Sequence, residues 1–344
     1  MGRGLIKHLA VENFKSIRRL ELECGRVNVF IGEPNSGKSN LLEALGSLSL
    51  LAYEGETEAF LRTRDVRHLF HNYNIREDMR ISFDEHELIG RFSPGVRCID
   101  MLYKGDVIGR IGPNQAQVVR ESVVHEALRL GAFRFYRFNP RAAFTESKES
   151  HLLPPDGRNL PSVLLYNPEL RSLVADILED YGQKPLVDEV EGTFSVLYEV
   201  NGLSLRIPYA LVSDTIRRYI FFLAAVKSNE NAVVVLEEPE AHAFPPYVKH
   251  LAECIGLDKR NQYFISTHNP YLLISLIEKT PVRELAVYVT YLREHETSAK
   301  LLVEEELSEL LDLTASVFFN LDRFIEELPG ASDRFWSSAA LRKS

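Results

Sequence analysis

One stretch of this sequence decides its fold: Val27-Asn28-Val29-Phe30-Ile31-Gly32-Glu33-Pro34-Asn35-Ser36-Gly37-Lys38-Ser39-Asn40. Its first five residues are largely apolar and predict a buried strand. The apolar residues that follow it, from Leu41 to Leu45, predict a helix. The residues between them have the spacing G-x-x-x-x-G-K-S, which in a strand–loop–helix context is typical of a phosphate-binding loop, or P-loop. The stretch therefore predicts a site for a nucleoside triphosphate.

The loop residues have chemical reasons to be where they are. Gly32 and Gly37 permit backbone angles that point successive N–H groups at an anion, and a helix beginning near Lys38 adds its positive end. We expect Lys38 to reach the β- and γ-phosphates and the Ser39 hydroxyl to ligate Mg²⁺. The predicted nucleotide-binding set is Gly32, Asn35, Ser36, Gly37, Lys38, Ser39 and Asn40.

Composition limits the class of protein. The 344 residues are 45% hydrophobic and 26% charged, as in ordinary globular proteins, and could form one large domain or two smaller ones. The longest apolar run, 219–226, is shorter than the roughly 18 residues of a membrane helix. Cys24, Cys98 and Cys254 are few and widely spaced, which predicts buried thiols in a reducing cytoplasm rather than disulfides or a zinc site.

Charge leaves the question of nucleic acid open. The net charge of −9 argues against tight, purely electrostatic binding of DNA or RNA. Local basic stretches do occur, with Arg62, Arg64 and Arg67 in the first and several arginines between 129 and 141 in the second. These arginines could contact phosphates, or they could lie on solvated faces and in internal ion pairs.

Two further apolar runs end in polar residues. The run 232–236 ends in Glu237 and Glu238, where P-loop ATPases carry one carboxylate that holds Mg²⁺ and another that polarises the attacking water; a solvent-facing acidic loop is the simpler alternative. The run 262–265 ends near His268. One helix and one strand separate the two runs, so we expect His268 on the neighbouring parallel strand, where it could contact a γ-phosphate, although a single histidine is more often structural.

Together these motifs resemble those of a known family. Asn13-Phe14-Lys15-Ser16, the P-loop, Glu237-Glu238-Pro239-Glu240-Ala241-His242 and Ser266-Thr267-His268-Asn269-Pro270 are similar to motifs of ABC-class P-loop ATPases of the RecF/SMC-like branch, and most of all to stand-alone and OLD-nuclease-type ATPase domains. The resemblance implies an α/β P-loop NTPase fold with a mixed core sheet, an antiparallel β-layer and a small helical/β lobe. It also implies ATP and Mg²⁺ as cofactors, ATP hydrolysis and an ATP-dependent homodimer.

The resemblance assigns roles to particular residues. Glu238 would be the general base, Glu237 would assist the metal and His268 would sense the γ-phosphate. Ser213 lies in Leu211–Arg218, the counterpart of the signature motif, whose serine contacts the nucleotide of the other subunit. The usual glycine after that serine is missing here, and Ser213 could instead cap a helix over 215–227. Asn139 is the best positional candidate for the Q-loop residue.

The motifs also predict the organisation of the chain. Residues 1–140 and 229–344 are expected to form an ATP-binding core, and residues 141–228 a helical/β lobe that carries the signature-like motif. Residues 4–31 are expected to be antiparallel strands leading into the P-loop strand, and Asn201-Gly202 predicts a hairpin within 191–209. No heptad run predicts a coiled coil, and the segment after His268 lacks the D-x-D pair of a Toprim nuclease.

Two interpretations of the ATP cycle remain open at this point. The dimer could clamp nucleic acid in DNA maintenance, repair or defence. Alternatively, it could be a regulatory switch that binds a separate protein effector without touching DNA. A basic groove would favour the first interpretation and an exposed apolar patch the second.

Overall fold

The computed structural model describes residues 6–141, 143–188 and 192–325, which form three sheets and the helices around them. The strands, in chain order, are β1 (His8–Phe14), β2 (Ile17–Glu23), β3 (Val27–Gly32), β4 (Met79–Phe83), β5 (His86–Ser93), β6 (Cys98–Tyr103), β7 (Asp106–Ile111), β8 (Ala116–Val118), β9 (Phe133–Tyr136), β10 (Gln183–Asp188), β11 (Thr193–Val200), β12 (Leu203–Pro208), β13 (Val233–Glu237), β14 (Gln262–Ser266), β15 (Leu285–Arg293) and β16 (Glu296–Leu301). The helices are α1 (Lys38–Tyr53), α2 (Thr57–Leu61), α3 (Leu160–Tyr166), α4 (Pro168–Glu179), α5 (Asp214–Ser228), α6 (Pro245–Leu257), α7 (Pro270–Lys279) and α8 (Glu304–Leu313).

A six-stranded sheet in the order β16-β15-β3-β14-β13-β9 is the centre of the fold. Its strands are parallel except β16, which runs antiparallel to β15, so the sheet is mixed as predicted. Glu237 at the end of β13 pairs with Ser266 of β14, and Ser266 pairs with Phe30 of β3. Because the carboxyl ends of parallel strands share one edge, the P-loop, the Glu237-Glu238 pair and the segment of His268 meet there.

Both faces of this sheet are covered, which explains why β3 and β14 are buried along their whole length. One face packs against α1 and a seven-stranded antiparallel sheet in the order β2-β1-β4-β5-β6-β7-β8. Aromatic rings stack on that face: the ring centroid of Phe30 lies 5.5 Å from that of Tyr288 and 6.3 Å from that of Phe264. The other face packs against α5, α6 and α7. The antiparallel β-layer is thus confirmed.

The N-terminal strands follow the prediction, because β1 and β2 are antiparallel and precede the P-loop strand β3. The prediction did not say which sheet each strand joins: β1 and β2 lie in the seven-stranded sheet and β3 in the six-stranded one. The burial patterns give the reason, because β1 and β2 alternate between covered and solvated positions whereas β3 is buried on both faces.

Residues 160–228 hold α3, α4, the three-stranded antiparallel sheet β10-β11-β12 and α5. The predicted hairpin is present between β11 and β12, and both turn residues have positive φ, 52° at Asn201 and 77° at Gly202, as this type of turn requires. These elements share one apolar core with the sheet face that carries α6 and α7. The division of the chain into 1–140 with 229–344 and 141–228 remains a prediction. Among the helices described, none has the length and apolar character needed to cross a membrane.

Candidate nucleotide site

The P-loop joins β3 to α1 in a backbone shape that only certain residues allow. Gly32 has φ 153° and Gly37 has φ 96°, and Asn35 lies in the left-handed region at φ 63°. α1 begins at Lys38 and no side chain caps it, so the backbone N–H groups of its first turn face the loop. This arrangement suits an anion at the positive end of the helix.

The strand pair β15–β16 closes against the loop from one side. A Cβ on Gly37 would lie 1.9 Å from Thr297 Oγ1, and a Cβ on Gly32 would lie 2.3 Å from the carbonyl oxygen of Thr290. Ser36 Oγ and Thr290 Oγ1 are 2.7 Å apart and hydrogen-bonded. Both glycines are therefore required by close approach as well as by φ.

The motif at residues 13–16 contacts both the start of α1 and the strand β16 through Ser16. Ser16 Oγ lies 2.7 Å from Thr297 Oγ1 and accepts a hydrogen bond of 2.6 Å from Asn40 Nδ2. Asn40 is thus placed on the supporting side of the loop. The motif at residues 13–16 serves to fix the start of α1.

Lys38 lies across the loop. Its Nζ donates to the carbonyl oxygens of Gly32 at 2.9 Å and Glu33 at 2.8 Å, and to Ser36 Oγ at 3.2 Å. Burial lowers the pKa of Lys38 to about 8, even though Glu238 and other carboxylates act in the opposite direction. The ammonium group is therefore mostly charged at neutral pH, at the point where phosphate oxygens would replace the carbonyls.

A cavity of about 450 Å³ opens over the loop and brings three motifs together. Its lining residues are Pro34, Asn35, Ser36, Gly37, Lys38, Ser39, Asn40, Arg62, Glu238 and His268.

Glu238 and His268 face each other across this cavity. The distance between His268 Nε2 and Glu238 Oε1 is 3.7 Å, and both side chains are partly exposed. Burial, followed by the charge of Lys38, lowers the pKa of His268 to about 4, so the imidazole is neutral at physiological pH. Glu238 has φ 43°, and its N–H donates to the carbonyl oxygen of Ser266 at 3.1 Å, which fixes the direction in which the side chain leaves β13.

Glu237 does not line this cavity, but it lies next to two residues that do, Ser39 and Arg62. It interacts with the Ser39 hydroxyl, forms an ion pair with Arg137, and lies 3.4 Å from Arg62 through its Oε1. Burial would raise the pKa of Glu237, but the two arginines outweigh burial and hold the pKa below its ordinary value. The side chain is therefore ionised.

Ser39 and Glu237 fit a magnesium ion. Both supply oxygen ligands at one point beside the loop, and Mg²⁺ prefers oxygen and commonly takes one or two protein ligands together with substrate phosphates. Across the described ranges, no group of three or more His, Cys, Asp or Glu residues could hold a metal by itself. The pair of ligands agrees with a metal that arrives with a nucleotide.

Sequence reasoning missed a charged network behind the loop. Glu43 of α1 is fully buried and contacts Lys15, Arg62 and Arg137. Arg137 also binds Glu237, so the network reaches the candidate metal ligand. The basic stretches gave some signal for Arg62 and Arg137, for which internal ion pairs were one of the alternatives, but a glutamate inside an apolar helix pattern gave none.

Glu240 was also given no role from the sequence. Its Oε1 accepts from Thr267 Oγ1 at 2.6 Å and from the His268 N–H at 3.0 Å, and its Oε2 is buried with no hydrogen-bond partner. Burial raises the pKa of Glu240 to about 7. Glu240 therefore anchors the backbone that carries His268.

Of the predicted residues, Gly32 and Glu237, at the ends of β3 and β13, do not line the cavity, and neither do Asn139 and Ser213. Asn139 is exposed, and Arg137, two residues earlier, is the one that reaches the site from this segment. Ser213 is exposed and is the N-cap of α5, where its Oγ accepts from the Ile216 N–H at 3.3 Å. The capping alternative thus has a geometric basis within the chain, and the contact with another subunit stays a prediction.

Comparisons with known proteins agree with this architecture. A family model described as AAA ATPase domain matches residues 5–194, and a second, described as AAA domain, putative AbiEii toxin, Type IV TA system, matches residues 131–275. None of the curated proteins matches the chain.

Solved structures show the same fold at low identity. A crystal structure of an SMC head bound to the C-winged helix domain of ScpA is 14% identical, with TM-score 0.56, and the match covers 88% of this chain and 99% of that one. An Smc head domain with an extended coiled coil, bound to the C-terminal domain of ScpA derived from Pyrococcus furiosus, is 13% identical, with TM-score 0.56, over 89% and 98% of the two chains.

The fold and the motifs at its sheet edge define an ABC-like P-loop ATPase domain of the RecF/SMC-like branch. The chain belongs to the AAA ATPase domain family, because the match to that family model, residues 5–194, spans more than half of the chain.

Proposed function

We propose that this chain binds ATP with Mg²⁺ and hydrolyses it, and that hydrolysis depends on an ATP-dependent homodimer. The observation that carries the proposal is the single cavity lined by the P-loop, Glu238 and His268. A loop fixed from several sides costs little to order when a nucleotide binds, and phosphoryl transfer needs positioning and charge stabilisation above all.

In this proposal each residue has one task. The backbone N–H groups of the loop and the Lys38 ammonium bind the β- and γ-phosphates, and Ser39 and Glu237 hold Mg²⁺. The bound ion would neutralise charge on the phosphate oxygens. Glu238 accepts a proton from the attacking water, and His268, being neutral, donates a hydrogen bond to the γ-phosphate.

The homodimer would supply what one chain leaves out. Ser213 is exposed and does not line the cavity of its own chain. In the resembling family this serine contacts the nucleotide of the other subunit. We therefore place Ser213 of each copy opposite the P-loop of the other.

The test uses the variant Glu238→Gln. It should bind ATP as the wild type does, hydrolyse it roughly 10²–10⁴-fold more slowly because the base is lost, and accumulate an ATP-dependent dimer in light scattering. Glu305→Gln, an exposed glutamate at the start of α8, is the matched control and should behave as the wild type. A monomer with and without ATP in the Glu238→Gln variant would contradict the dimer.

For the purpose of the cycle we favour DNA maintenance, repair or defence. A groove of about 640 Å³ on the antiparallel sheet is lined by more arginines than carboxylates, although several of these arginines also form ion pairs. The groove residues are Glu12, Asn13, Arg18, Arg19, Arg76, Glu77, Asp78, Arg80 and Arg91. An excess of arginine in a groove favours the phosphate backbone of a nucleic acid.

A different surface supports the alternative, a switch that binds a protein effector. Val200, Leu203 and Leu205 at the end of the β11–β12 hairpin are 41%, 64% and 40% exposed. Adjacent exposed apolar residues favour a protein partner.

Fluorescence anisotropy with a labelled DNA duplex distinguishes the two purposes. Binding that weakens steeply with salt and is lost in Arg76→Gln, but not in Leu203→Ser, supports the DNA interpretation. If the wild type with ATP shows no binding at low salt, the effector interpretation is the better one.

A further inference from the structure

Arg137 connects the candidate metal ligand Glu237 to the segment that follows β9. It comes directly after the last residue of β9, the strand that pairs with β13, so it lies at the sheet edge where the motifs meet. Its backbone N–H donates to the carbonyl oxygen of Pro155 at 3.0 Å. Its guanidinium contacts both Glu237 and Glu43, the latter at 2.8 Å.

The buried Glu43 does not depend on Arg137 alone. Lys15 and Arg62 also contact Glu43, and Lys15 Nζ donates to the carbonyl oxygen of Leu61 at 2.6 Å. The network therefore has three cations for two carboxylates, and removing one of them leaves Glu43 paired. The contact that Arg137 makes and Lys15 does not is the one to Glu237.

This contact competes with a metal. Arg137 takes Glu237 Oε2, and Arg62 lies 3.4 Å from Oε1. A divalent cation needs one of these oxygens, and a guanidinium held on the same carboxylate would repel it at a distance of a few ångströms. Glu237 therefore cannot serve Arg137 and Mg²⁺ equally well at once.

We propose that Arg137 is a positioning residue that keeps Glu237 from binding magnesium until the nucleotide enters the site. The phosphates, being anionic, draw the guanidinium away from Glu237, and the carboxylate then accepts the ion that arrives with them. This inference rests on the proposed binding of ATP and Mg²⁺. It predicts that the pair Arg137–Glu237 couples nucleotide binding to metal binding.

The experiment measures the dissociation constant of a non-hydrolysable ATP analogue by calorimetry, once in Mg²⁺ and once in EDTA. In Arg137→Gln, Glu237 keeps only Arg62 as a cationic neighbour, so it repels phosphates more strongly when no metal is present and binds the ion more readily when it is. The ratio of the dissociation constant in EDTA to that in Mg²⁺ should therefore be about tenfold or more higher in the variant than in the wild type. A factor of ten corresponds to about 1.4 kcal/mol.

A second measurement needs no nucleotide. Mn²⁺, titrated as a spectroscopic probe into the nucleotide-free protein, should bind to Arg137→Gln at concentrations where the wild type binds none. Arg141→Gln is the matched control, because Arg141 also pairs with a carboxylate, but that carboxylate is Asp156 and not the candidate metal ligand Glu237. It should keep the wild-type ratio, and Glu237→Gln should lose the gain from Mg²⁺.

If Arg137→Gln does not fold, Arg137→Lys keeps the charge with fewer donors and should raise the ratio by a smaller factor. An unchanged ratio and unchanged Mn²⁺ binding in a folded Arg137 variant would overturn this inference while leaving the proposed function intact. A wild-type chain that binds no nucleotide would overturn the proposed function and this inference with it.

Discussion

The P-loop and the signature-like segment 211–218 are built in opposite ways. The P-loop is held by Thr290 and Thr297 from one side and by Ser16 from another, and its lysine is largely buried. In the segment 211–218, Leu211 and Ser213 are exposed while Val212 and Ile216 pack into the core, and Ser213 caps α5. The difference indicates that one chain forms the cavity proposed to bind nucleotide, whereas the role proposed for Ser213 requires a second copy of the chain.

The largest effect expected from this comparison lies in the P-loop. Lys38→Ala should abolish ATP binding in calorimetry, because it removes the cation that neutralises the β- and γ-phosphates. Lys249→Ala, an exposed lysine on α6, is the control and should bind normally. Unchanged affinity in Lys38→Ala would falsify the assignment of the loop.

The second prediction concerns the buried carboxylate of Glu240, which holds the backbone of His268 and lowers the stability of the folded protein when it is ionised. Its pKa of about 7 lies above the ordinary 4.5, so the folded state prefers the protonated acid. That stability is present below about pH 4.5 and is lost as the pH rises through 7. Glu240→Gln, which imitates the protonated form, should therefore be more stable than the wild type by about 3 kcal/mol at about pH 8.

The check on Glu240 is urea unfolding at several pH values. The difference in free energy of unfolding between Glu240→Gln and the wild type should shrink toward about pH 5. Glu305→Gln should show no such trend. A pH-independent difference would mean that Glu240 is ionised in the folded protein.

The pH dependence of nucleotide binding should report on Lys38 itself. Burial lowers the pKa of Lys38 to about 8, so the free loop loses its charge above that pH. Affinity for an ATP analogue should fall by about fivefold between about pH 8 and pH 9, because the charged fraction of Lys38 falls from about one half to about one tenth. Lys38→Arg keeps its charge in this range and should give a flat profile if it binds; a sloping profile there would point to another group.

The smallest effect concerns the signature-like segment and would sharpen the comparison most. Ser213→Ala and Ser213→Arg both remove the cap of α5 and should each cost about 1 kcal/mol in thermal melts. If Ser213 faces a nucleotide across an interface, only the arginine variant should lose hydrolysis, with ATP binding intact. Normal turnover in both variants would leave Ser213 as a helix cap.

Sequence was informative where a local pattern sufficed. The strand, the loop with its glycines and the start of α1 follow each other within the stretch 27–40, so their geometry was predictable. The pairing of β13 with β14 needed only the separation of two apolar runs, and it is confirmed. The positions of Glu238 and His268 at one edge followed from it.

Long-range side-chain contacts left no such pattern. Arg137 and Glu43 are 94 residues apart, and neither period nor spacing distinguishes them from other charged residues. Asn139 was the predicted Q-loop residue, whereas Arg137 is the residue of that segment that contacts Glu237. The two threonines that close on the loop glycines were missed for the same reason, since a threonine in a strand is ordinary.

The distance along the chain between the loop and its supports has a consequence for biosynthesis. Ser36 binds Thr290 across 254 residues, and Ser16 binds Thr297 across 281. During translation the P-loop leaves the ribosome before β15 and β16, which carry Thr290 and Thr297. Until then the loop lacks the hydrogen bond from Ser36 to Thr290 and the support of Thr297. A nascent chain arrested before residue 290 would carry the complete motif without these two supports, so we expect it to bind ATP more weakly than the full chain.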